Sequence, residues 1–585
     1  MKALKHLNKY FYKYRYRLLL GIVITVVAKI FALFTPRLIG LSINVVSNRL
    51  QETISSEAFK EQLMVNILYV VGAAVLAGVF TFLMRQTIIN VSRHIEYDLK
   101  NEVYAHYQKL SLSFYKANRT GDLMNRITED VSKVREFAGP AIMYSINTIT
   151  LFVVALIYMY QRSPELTLYT VLPLPILSIF IYKISQTINK RSRIVQESLS
   201  TLSAFTQEHF SGISVIKSYG IETVTNEGFD LLANENRTKQ INLSKIQALF
   251  FPLMILIIGL SNIIVAYFGG LFYMQGKIGD IGTIAEFLIY VNMLTWPVAV
   301  IGWVTNLVQQ AEASQKRINE FLKQQPEITN ISSTKTPIMG DIEFKNVSYT
   351  YPDTNIQAIN SLSFKVQKGK TLAILGKTGS GKSTILDLIG RLYDVDSGMV
   401  LIDGKPVKNV NLFSLREQIG YVPQDAFLFS DTIKTNIMFG DKDATDQEVI
   451  EAAKNAKVHE NIMSFKEGYD TVLGERGITL SGGQKQRISI ARAIIKTPQI
   501  LLFDDCLSAV DTETEEQILK NLNTLSSNRT TVIVSHRVSS VKNADQIIVL
   551  DNGNIVQSGT HNELISVKGY YKELYIKQLS EKEAS

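Results

Sequence analysis

The chain is nearly devoid of cysteine, since Cys506 is the single one in 585 residues. A lone cysteine excludes an internal disulfide framework and favours a reducing surrounding such as the cytosol. Charged residues make up 19% and hydrophobic residues 46%, but these averages combine two different halves. The first half carries long apolar runs, and the second has the pattern of a soluble α/β domain. A chain of this length is too long for one core, so we expect at least two domains.

A concentrated basic patch is also missing, although the formal net charge is +8. The basic residues are spread over loops beside the apolar runs, which indicates membrane topology and argues against a nucleic-acid partner. Positions 1–17 are basic and rich in tyrosine, without the pattern of a cleavage site. We therefore expect a cytoplasmic lead-in to a first membrane helix and not a removable signal.

Six apolar segments are long enough to cross a bilayer, which takes roughly 20 residues each. They occupy positions 18–43, 64–82, 142–160, 166–184, 248–273 and 284–307. Lys and Arg favour the cytoplasmic side of short loops, and the short outer turns carry little beyond Arg162 and Lys277. The sequence predicts a multi-pass, all-α domain over 1–320, surrounded by lipid in the cell inner (plasma) membrane, with its N-terminus in the cytoplasm.

The connections after the second and fourth apolar segments are long and have a helical pattern. At about 1.5 Å per residue, such helices extend well beyond the bilayer. Glycine-containing turns lie at their tips, at positions 114–123 and 211–217. We expect both tips to dock on the soluble domain of the second half; the alternative is an ordinary helix–turn–helix without a partner. Within the spans Lys29, Asn262 and Asn292 are polar, and either a substrate contact or a contact to lipid headgroups and neighbouring helices accounts for them.

A complete phosphate-binding loop lies in the second half, between an apolar run at 371–375 and a helical pattern that starts at Thr384. It consists of Gly376, Lys377, Thr378, Gly379, Ser380, Gly381, Lys382 and Ser383. Its glycines let consecutive backbone N–H groups point at one anion, next to a helix N-terminus. Lys382 is expected to reach the β- and γ-phosphates and Ser383 to ligate Mg²⁺. The loop therefore predicts ATP and Mg²⁺ as cofactors.

Two carboxylates end a second apolar strand, at positions 500–503. A buried strand that ends in the pair Asp504 and Asp505 requires a nearby cation. Asp504 is therefore predicted to hold Mg²⁺ through water, and Asp505 to orient the attacking water. Tyr351, upstream of the phosphate loop, is expected to stack on adenine. A plain core role is the alternative, but Tyr349 already supplies the core position of that alternating strand.

A second glycine turn opens a helix before that strand, and its residues are Ser481, Gly482, Gly483 and Gln484. It is a second potential phosphate clamp. One chain with two clamps but a single phosphate loop suggests that the second clamp serves a neighbouring molecule.

These features resemble an ABC transporter ATPase once three further elements join them: Gln424 after the strand at 421–423, the stretch 508–511, and His536. With six spans before it, the chain resembles a half-size ABC exporter over nearly its whole length. The resemblance implies a multidomain fold, with a six-helix transmembrane domain, a linker at 321–340 and an α/β P-loop ATPase domain of ABC type at 341–585.

The same resemblance implies a dimer with two ATP molecules at its interface, each between one chain's phosphate loop and the other chain's turn at 481–484. In this family Gln424 contacts Mg²⁺, His536 contacts the γ-phosphate, and Asp511 communicates across the dimer. Residues 474–477 are similar to a segment that exporters use at the coupling tips. Importers of this class usually place membrane and ATPase parts on separate chains, so the direction implied is export.

One departure from the family concerns Asp505, where most active members have Glu. The side chain is one methylene shorter, and a misplacement of about 1 Å can cost on the order of a hundredfold in rate. The chain resembles subunits of bacterial heterodimeric multidrug exporters whose partner owns the working site. A heterodimer is favoured; a homodimer with two slow, equal sites, or a backbone adjustment that restores Asp505, is the alternative.

The predicted function is ATP-driven export of a small amphiphilic substrate, a drug, a lipid or a peptide, by a half-transporter that acts in a dimer. A peptide exporter of the proteolytic kind usually carries an extra N-terminal domain with catalytic Cys and His, which this sequence does not contain. Two rival functions remain: a regulatory ATP-binding subunit whose partner performs the hydrolysis, and a soluble ABC protein acting on nucleic acid or the ribosome. Six consistently oriented spans argue against the second.

Overall fold

The computed structural model describes residues 2–474, 477, 480–508, 510–525 and 529–584. The chain divides into two compact units. The first unit contains Met1–Tyr107 and Gly121–Gln324, and the second contains Gln108–Thr120 and Gln325–Ser585. The short segment Gln108–Thr120 therefore belongs to the second unit, although it lies between long helices of the first in the sequence.

The first unit is helical. It begins with a 3₁₀ turn at Ala3–Leu7. In chain order, and including α4 of the segment Gln108–Thr120, the helices are α1 Asn8–Lys13, α2 Arg15–Leu50, α3 Ser56–Tyr107, α4 Leu112–Ala117, α5 Thr120–Asn125, α6 Val131–Glu136, α7 Ile142–Arg162, α8 Pro164–Val171, α9 Pro173–Ser211, α10 Ile213–Tyr219, α11 Glu222–Met274 and α12 Gly282–Leu322. Single π-helical turns at Arg126–Asp130 and Phe137–Ala141 join α5, α6 and α7 into one long helix.

Five stretches among the described residues are long and apolar enough to cross a membrane: Arg15–Leu50, Ser56–Tyr107, Thr120–Arg162, Glu222–Met274 and Gly282–Leu322. The predicted segment 166–184 is not one of the five, because the chain there is divided at Leu172 between α8 and α9. Pro173 is the first residue of α9; proline has no N–H to donate and clashes with the preceding turn, so it starts a helix better than it continues one.

Helices α2 and α12 approach each other closely at two glycines. A Cβ added at Gly282 would lie 2.0 Å from the carbonyl oxygen of Gly40, so no side chain fits there. The Gly282 N–H donates to Oδ1 of Asn44 at 2.7 Å. One turn along α12, the buried carboxylate of Glu286 lies 3.4 Å from Nε of Arg162 on α7. A buried charge is tolerated when it is paired in this way, so these contacts hold three helices together.

The second unit contains two sheets. Its strands are β1 Ile342–Thr350, β2 Gln357–Val366, β3 Thr371–Gly376, β4 Ser397–Ile402, β5 Lys405–Pro406, β6 Ile419–Val422, β7 Ile500–Asp504, β8 Thr530–Val534, β9 Gln546–Asp551 and β10 Asn554–Gly559. The four-stranded sheet is antiparallel in the order β2-β1-β4-β5, and the six-stranded sheet has the order β10-β9-β3-β8-β7-β6. In the latter, β9, β3, β8, β7 and β6 are parallel and β10 is antiparallel.

Helices cover these sheets: α13 Lys382–Ile389, α14 Leu412–Glu417, α15 Ile433–Met438, α16 Asp446–Asn455, α17 His459–Met463, α18 Gly482–Ile495, α19 Thr512–Leu525, α20 Val538–Val541, α21 His561–Ser566 and α22 Tyr570–Ala584. Strands β7 and β8 are buried at every position, as expected for a parallel sheet covered on both faces. A helical domain followed by an α/β domain is the predicted fold class, which is confirmed.

The strand order explains how distant parts of the sequence meet. Strands β3, β8 and β7 are neighbours, and the carboxyl ends of parallel strands lie at one edge of the sheet, where ligands bind in α/β folds. The phosphate loop follows β3, Asp504 ends β7, and His536 comes shortly after β8. The edge therefore collects three predicted site elements.

Candidate nucleotide site

The phosphate loop connects β3 to α13, as the sequence predicted. Gly381 has a φ of +96°, and a Cβ there would lie 2.2 Å from the carbonyl oxygen of Ala358. Only glycine fits this position, for both backbone conformation and space. Lys377, Thr378 and Gly379 are exposed, whereas Ser380 is buried. The Ser380 hydroxyl has no hydrogen-bond partner among the described residues, which suits a group that faces a bound anion.

The Lys382 side chain folds back over the loop that precedes it. Its ammonium donates to the carbonyl oxygens of Gly376, at 2.9 Å, and of Lys377, at 2.8 Å. Burial lowers the pKa of Lys382, while the charges of Asp505 and Asp504 act in the opposite direction. An ammonium held between backbone carbonyl oxygens and close to two carboxylates is suited to phosphate oxygens.

Ser383 and Asp504 lie side by side. The Ser383 hydroxyl donates to Oδ1 of Asp504 at 2.9 Å, and Asp504 is 4% exposed. Burial is the main cause that raises the pKa of Asp504. Among the described residues there is no cluster of three or more His, Cys, Asp or Glu side chains that could bind a metal by themselves. A hard cation bound here therefore requires oxygens from phosphate and water in addition to these two side chains.

Asp505 stands apart in its backbone conformation. Its φ is +43°, a left-handed value that Asp and Asn adopt more readily than other residues with a side chain. Its Oδ2 lies 3.9 Å from Nε2 of His536, and its buried Oδ1 has no partner among the described residues. Burial raises the pKa of Asp505, and the charge of His536 opposes that rise. The pair lies beside Lys382 and Asp504, so the structure brings these predicted residues together.

Tyr351 lies directly after β1 and is half-buried. Its hydroxyl is 3.0 Å from Oγ1 of Thr384, the third residue of α13. The rings of Tyr349 and Tyr393 pack against it, with ring centroids 5.1 Å and 5.6 Å away. Tyr349 is 3% exposed and fills the core position that the sequence assigned to it. Tyr351 is thus linked directly to the helix that begins with Lys382.

Gln424 is exposed beyond the end of β6. Its carbonyl oxygen accepts a hydrogen bond from Nε2 of Gln486 on α18. In the described part of the chain no hydrogen bond joins Gln424 to Ser383 or Asp504, and the contact of Gln424 with Mg²⁺ stays a prediction.

The turn at Ser481 caps α18. The Ser481 hydroxyl accepts from the Gln484 N–H at 3.3 Å, and the Gln484 side chain accepts from the Ser481 N–H at 2.9 Å. This reciprocal capping box satisfies two N-terminal donors and leaves the helix dipole directed outward. Ser481 and Gly482 are exposed, and Gly483 is partly exposed. Within the described residues no hydrogen bond or ion pair links this turn to the phosphate loop.

Arg537, which the sequence analysis missed, connects His536 to the stretch around Asp511. Its guanidinium donates to the Ser508 carbonyl oxygen at 2.9 Å and to the buried carboxylate of Glu515 at 3.0 Å. Asp511 is exposed and accepts from the Thr514 N–H at 2.9 Å, which lowers the pKa of Asp511. No local motif signals Arg537; the one available signal is a basic residue directly after His536.

Two predicted elements fall partly on residues that the structure leaves undescribed. Ala509 interrupts the stretch 508–511, and Glu475 and Arg476 interrupt 474–477. The predictions for these residues lie outside the described residues.

The segment Gln108–Thr120 packs on the rest of the second unit. Leu112 contacts the hydrophobic core that β1, β2 and β3 share, and the Ser111 and Ser113 hydroxyls donate to Oε2 of Glu327. Because Gln108–Thr120 belongs to the second unit, the docking predicted for the tip at 114–123 is confirmed over residues 114–120. The second tip, at 211–217, lies in the first unit, and its docking stays a prediction.

Comparisons with known proteins agree with this geometry. The family model "ABC transporter transmembrane region" matches residues 18–298, and the model "ABC transporter" matches residues 359–508. The uncharacterized ABC transporter ATP-binding protein YknU of Bacillus subtilis (strain 168) is 37% identical over 577 residues, which cover 98% of this chain and 97% of that protein. The multidrug resistance-like ATP-binding protein MdlA of Escherichia coli (strain K12) is 34% identical over 576 residues, 98% of this chain and 96% of that protein.

A solved structure of a bacterial Atm1-family ABC exporter with ATP bound superposes with a TM-score of 0.79 at 27% identity, covering 96% of this chain and 98% of that one. The phosphate loop, the paired carboxylates and the capped turn thus occur in a chain that matches such proteins from end to end. The chain belongs to the ABC transporter family, as a half-size exporter that fuses a transmembrane region to an ATPase domain and couples ATP hydrolysis to transport.

Proposed function

We propose that this chain exports a small amphiphilic substrate, such as a drug, a lipid or a peptide, across the cytoplasmic membrane as one half of a dimer. One observation carries the dimer: a complete phosphate loop and an outward-facing capped turn occur in one chain without contacting each other. A helix N-terminus with exposed donors binds an anion, and the anion available to the turn at Ser481 is the nucleotide of a second subunit. Asp511, exposed beyond β7, is then placed to communicate with that subunit.

Few side chains bind the nucleotide and its metal ion in this proposal. Lys382 and the backbone N–H groups of residues 376–383 bind the phosphates, and Tyr351 stacks on adenine. Mg²⁺ fits the pair of Ser383 and Asp504, because both present hard oxygen ligands and Asp504 is a buried carboxylate beside the phosphate loop. When bound, the ion would neutralise negative charge on the phosphates.

Asp505 acts on the attacking water, and His536 acts on the γ-phosphate. The unpartnered Oδ1 of Asp505 is available to accept a hydrogen bond from that water. His536 donates toward the γ-phosphate, and Gln578 steadies the His536 backbone by a hydrogen bond of 2.9 Å to its carbonyl oxygen. Both side chains hold or orient protons, and neither has to form a covalent bond.

A heterodimer fits Asp505 better than a homodimer does. The 3.9 Å separation from His536 is longer than a hydrogen bond, which supports a weak site in this chain, while the turn at Ser481 is intact and can serve a partner's site. The multidrug resistance-like name of the MdlA relative supports amphiphilic drugs as substrates. In the regulatory alternative, this chain binds ATP and only its partner hydrolyses it.

The test is ATPase turnover of the chain purified alone in lipid, with its oligomeric state measured by native mass spectrometry. A monomer or an idle dimer that still binds ATP is expected for a subunit that needs a different partner. Robust turnover from a homodimer would contradict the heterodimer. Lys382→Ala is the control for the site itself: if it left nucleotide binding and transport unchanged, the assignment of the phosphate loop would be wrong.

The membrane orientation is tested separately. The N-terminus and the ATPase domain are proposed to lie in the cytoplasm, so a cysteine introduced at Lys5 should be shielded from an impermeant thiol reagent in intact cells. A cysteine at Lys277, in a predicted outer turn, should react. Equal labelling of both positions would overturn this orientation.

A further inference from the structure

Lys116 lies next to the aromatic side chains of the proposed adenine site. Its ammonium nitrogen is 4.9 Å from the ring centroid of Tyr351 and 5.0 Å from that of Tyr393. The two rings meet edge to face, with their planes at 87°. Both distances are within the range of cation–π attraction. One cation therefore attracts two rings that already pack on each other.

The residue comes from the segment Gln108–Thr120, which connects membrane helices in the sequence. Lys116 is at the end of α4, a helix anchored by the buried Phe114 and by the contact of Leu112 with the core. No carboxylate among the described residues lies within ion-pairing distance of Lys116. Its charge is therefore directed at the rings and, over a longer range, at Asp387 of α13.

Asp387 belongs to the same helix as Lys382, Ser383 and Thr384. Burial raises the pKa of its carboxyl to about 6, and the charge of Lys116 is the influence that opposes this rise. Thr384 contacts the Tyr351 hydroxyl at 3.0 Å. Lys116 thus acts on one face of a cluster made of Tyr351, Tyr393 and the start of α13.

We propose that Lys116 is a positioning residue for ATP: from the docked segment it holds the Tyr351 ring in place, so that nucleotide affinity depends on the docking of that segment. The inference rests on the proposed stacking of adenine on Tyr351. A ring that is already held loses less conformational freedom when the base binds, which increases affinity. Because coupling between two equilibria is reciprocal, bound ATP stabilises the docked segment by the same factor.

The experiment measures the affinity of the full-length chain in lipid for two probes, Mg-ATP and inorganic tripolyphosphate, which lacks a base. Lys116→Met keeps most of the length of the side chain but removes its charge. It is expected to weaken Mg-ATP binding by about three- to tenfold and to change tripolyphosphate binding less than about twofold. Lys116→Arg should restore ATP affinity, because arginine also binds aromatic faces. Lys109→Met, which removes an equal charge from the same segment, is the matched control and should change neither probe.

A double-mutant cycle isolates the route of action. In a Tyr351→Leu background, Lys116→Met should cost nothing further. A loss for both probes, or a loss that persists without the Tyr351 ring, would mean general damage to the segment and would overturn the inference. If Tyr351→Leu weakens ATP binding but Lys116→Met has the same ATP affinity as the control Lys109→Met, the inference about Lys116 is wrong and adenine stacking on Tyr351 is supported. If Tyr351→Leu leaves ATP affinity unchanged, adenine stacking itself is wrong.

The reciprocal effect has its own measurement. Acylation of Lys116 by an amine reagent, followed by mass spectrometry, should slow about three- to tenfold when Mg-ATP is bound. Acylation of Lys109 should not change. Equal rates at Lys116 with and without ATP would contradict the coupling.

Discussion

Lengthening the carboxylate at position 505 tests whether geometry limits this nucleotide site. The Asp505 and His536 side chains are separated by 3.9 Å, about 1 Å more than a hydrogen bond. One additional methylene extends the carboxylate by roughly 1.3 Å, which closes that gap. A misplacement of about 1 Å costs on the order of a hundredfold, or about 2.7 kcal/mol of activation free energy. Asp505→Glu is therefore expected to raise ATPase turnover by about ten- to a hundredfold.

The same substitution has a cost in stability. The φ of +43° at this residue favours Asp over Glu, so the variant should lose about 1 kcal/mol of folding free energy. Asp505→Gln is the matched control, because it has the length and the backbone cost of Glu without the charge. The assay is phosphate release from the full-length chain in lipid, with thermal unfolding of each variant measured in parallel.

Three outcomes separate the explanations. A gain with Glu and no gain with Gln supports a carboxylate that is too short. A gain with both would show that space and not charge is limiting. If Glu gives no gain while Mg-ATP still binds with the wild-type affinity, the geometric argument is refuted and the regulatory alternative is favoured.

Three further predictions concern other residues of the second unit. Gly381→Ala should weaken Mg-ATP binding at least tenfold in a direct binding assay, roughly the cost of 1.4 kcal/mol or more, because its Cβ would collide with the Ala358 carbonyl oxygen; wild-type affinity would contradict the fit of the loop. Burial raises the pKa of Asp387 from 3.8 to about 6, so the folded state binds this proton more tightly than the unfolded state. The stability that comes from the bound proton is fully present below pH 4 and is lost as the pH rises through 6. The unfolding free energy of Asp387→Asn should therefore match that of wild type at pH 4 and exceed it by up to about 3 kcal/mol at pH 7.5. Cys506 is 2% exposed, and burial raises the pKa of its thiol, so maleimide should label it only after denaturation; rapid labelling of the native protein would show an opening of the core.

Local patterns predicted those parts of the chain whose structure depends on neighbours in the sequence. The phosphate loop is such a part, because its glycines and Lys382 act through the adjacent backbone. The alternation that placed Tyr349 in the core and Tyr351 outside it also follows from consecutive residues in one strand. Apolar length predicted five helices that the structure contains. It did not predict the division at Leu172, because a window average does not include the backbone restriction of Pro173.

Contacts between distant residues required the tertiary structure. Asp504, Asp505 and His536 were recognised one by one, but the sheet order β3-β8-β7 is what brings them beside Lys382. Gln424 is exposed beyond the end of β6, and its role at Mg²⁺ rests on the family resemblance. Ion pairs such as Arg537 with Glu515 leave no periodic signal, because each side chain alone is typical of an exposed surface.

Local sequence patterns identify the kind of protein: long apolar helices, a phosphate loop and a second glycine turn indicate a membrane-bound ATPase without any knowledge of long-range contacts. Which groups act together follows from the folded arrangement of the chain. It placed Gln108–Thr120 with the second unit and thereby brought Lys116 to the rings of Tyr351 and Tyr393. The physical reason is that attraction between side chains falls off over a few ångströms, whereas their separation along the chain is set by folding and has no local signature.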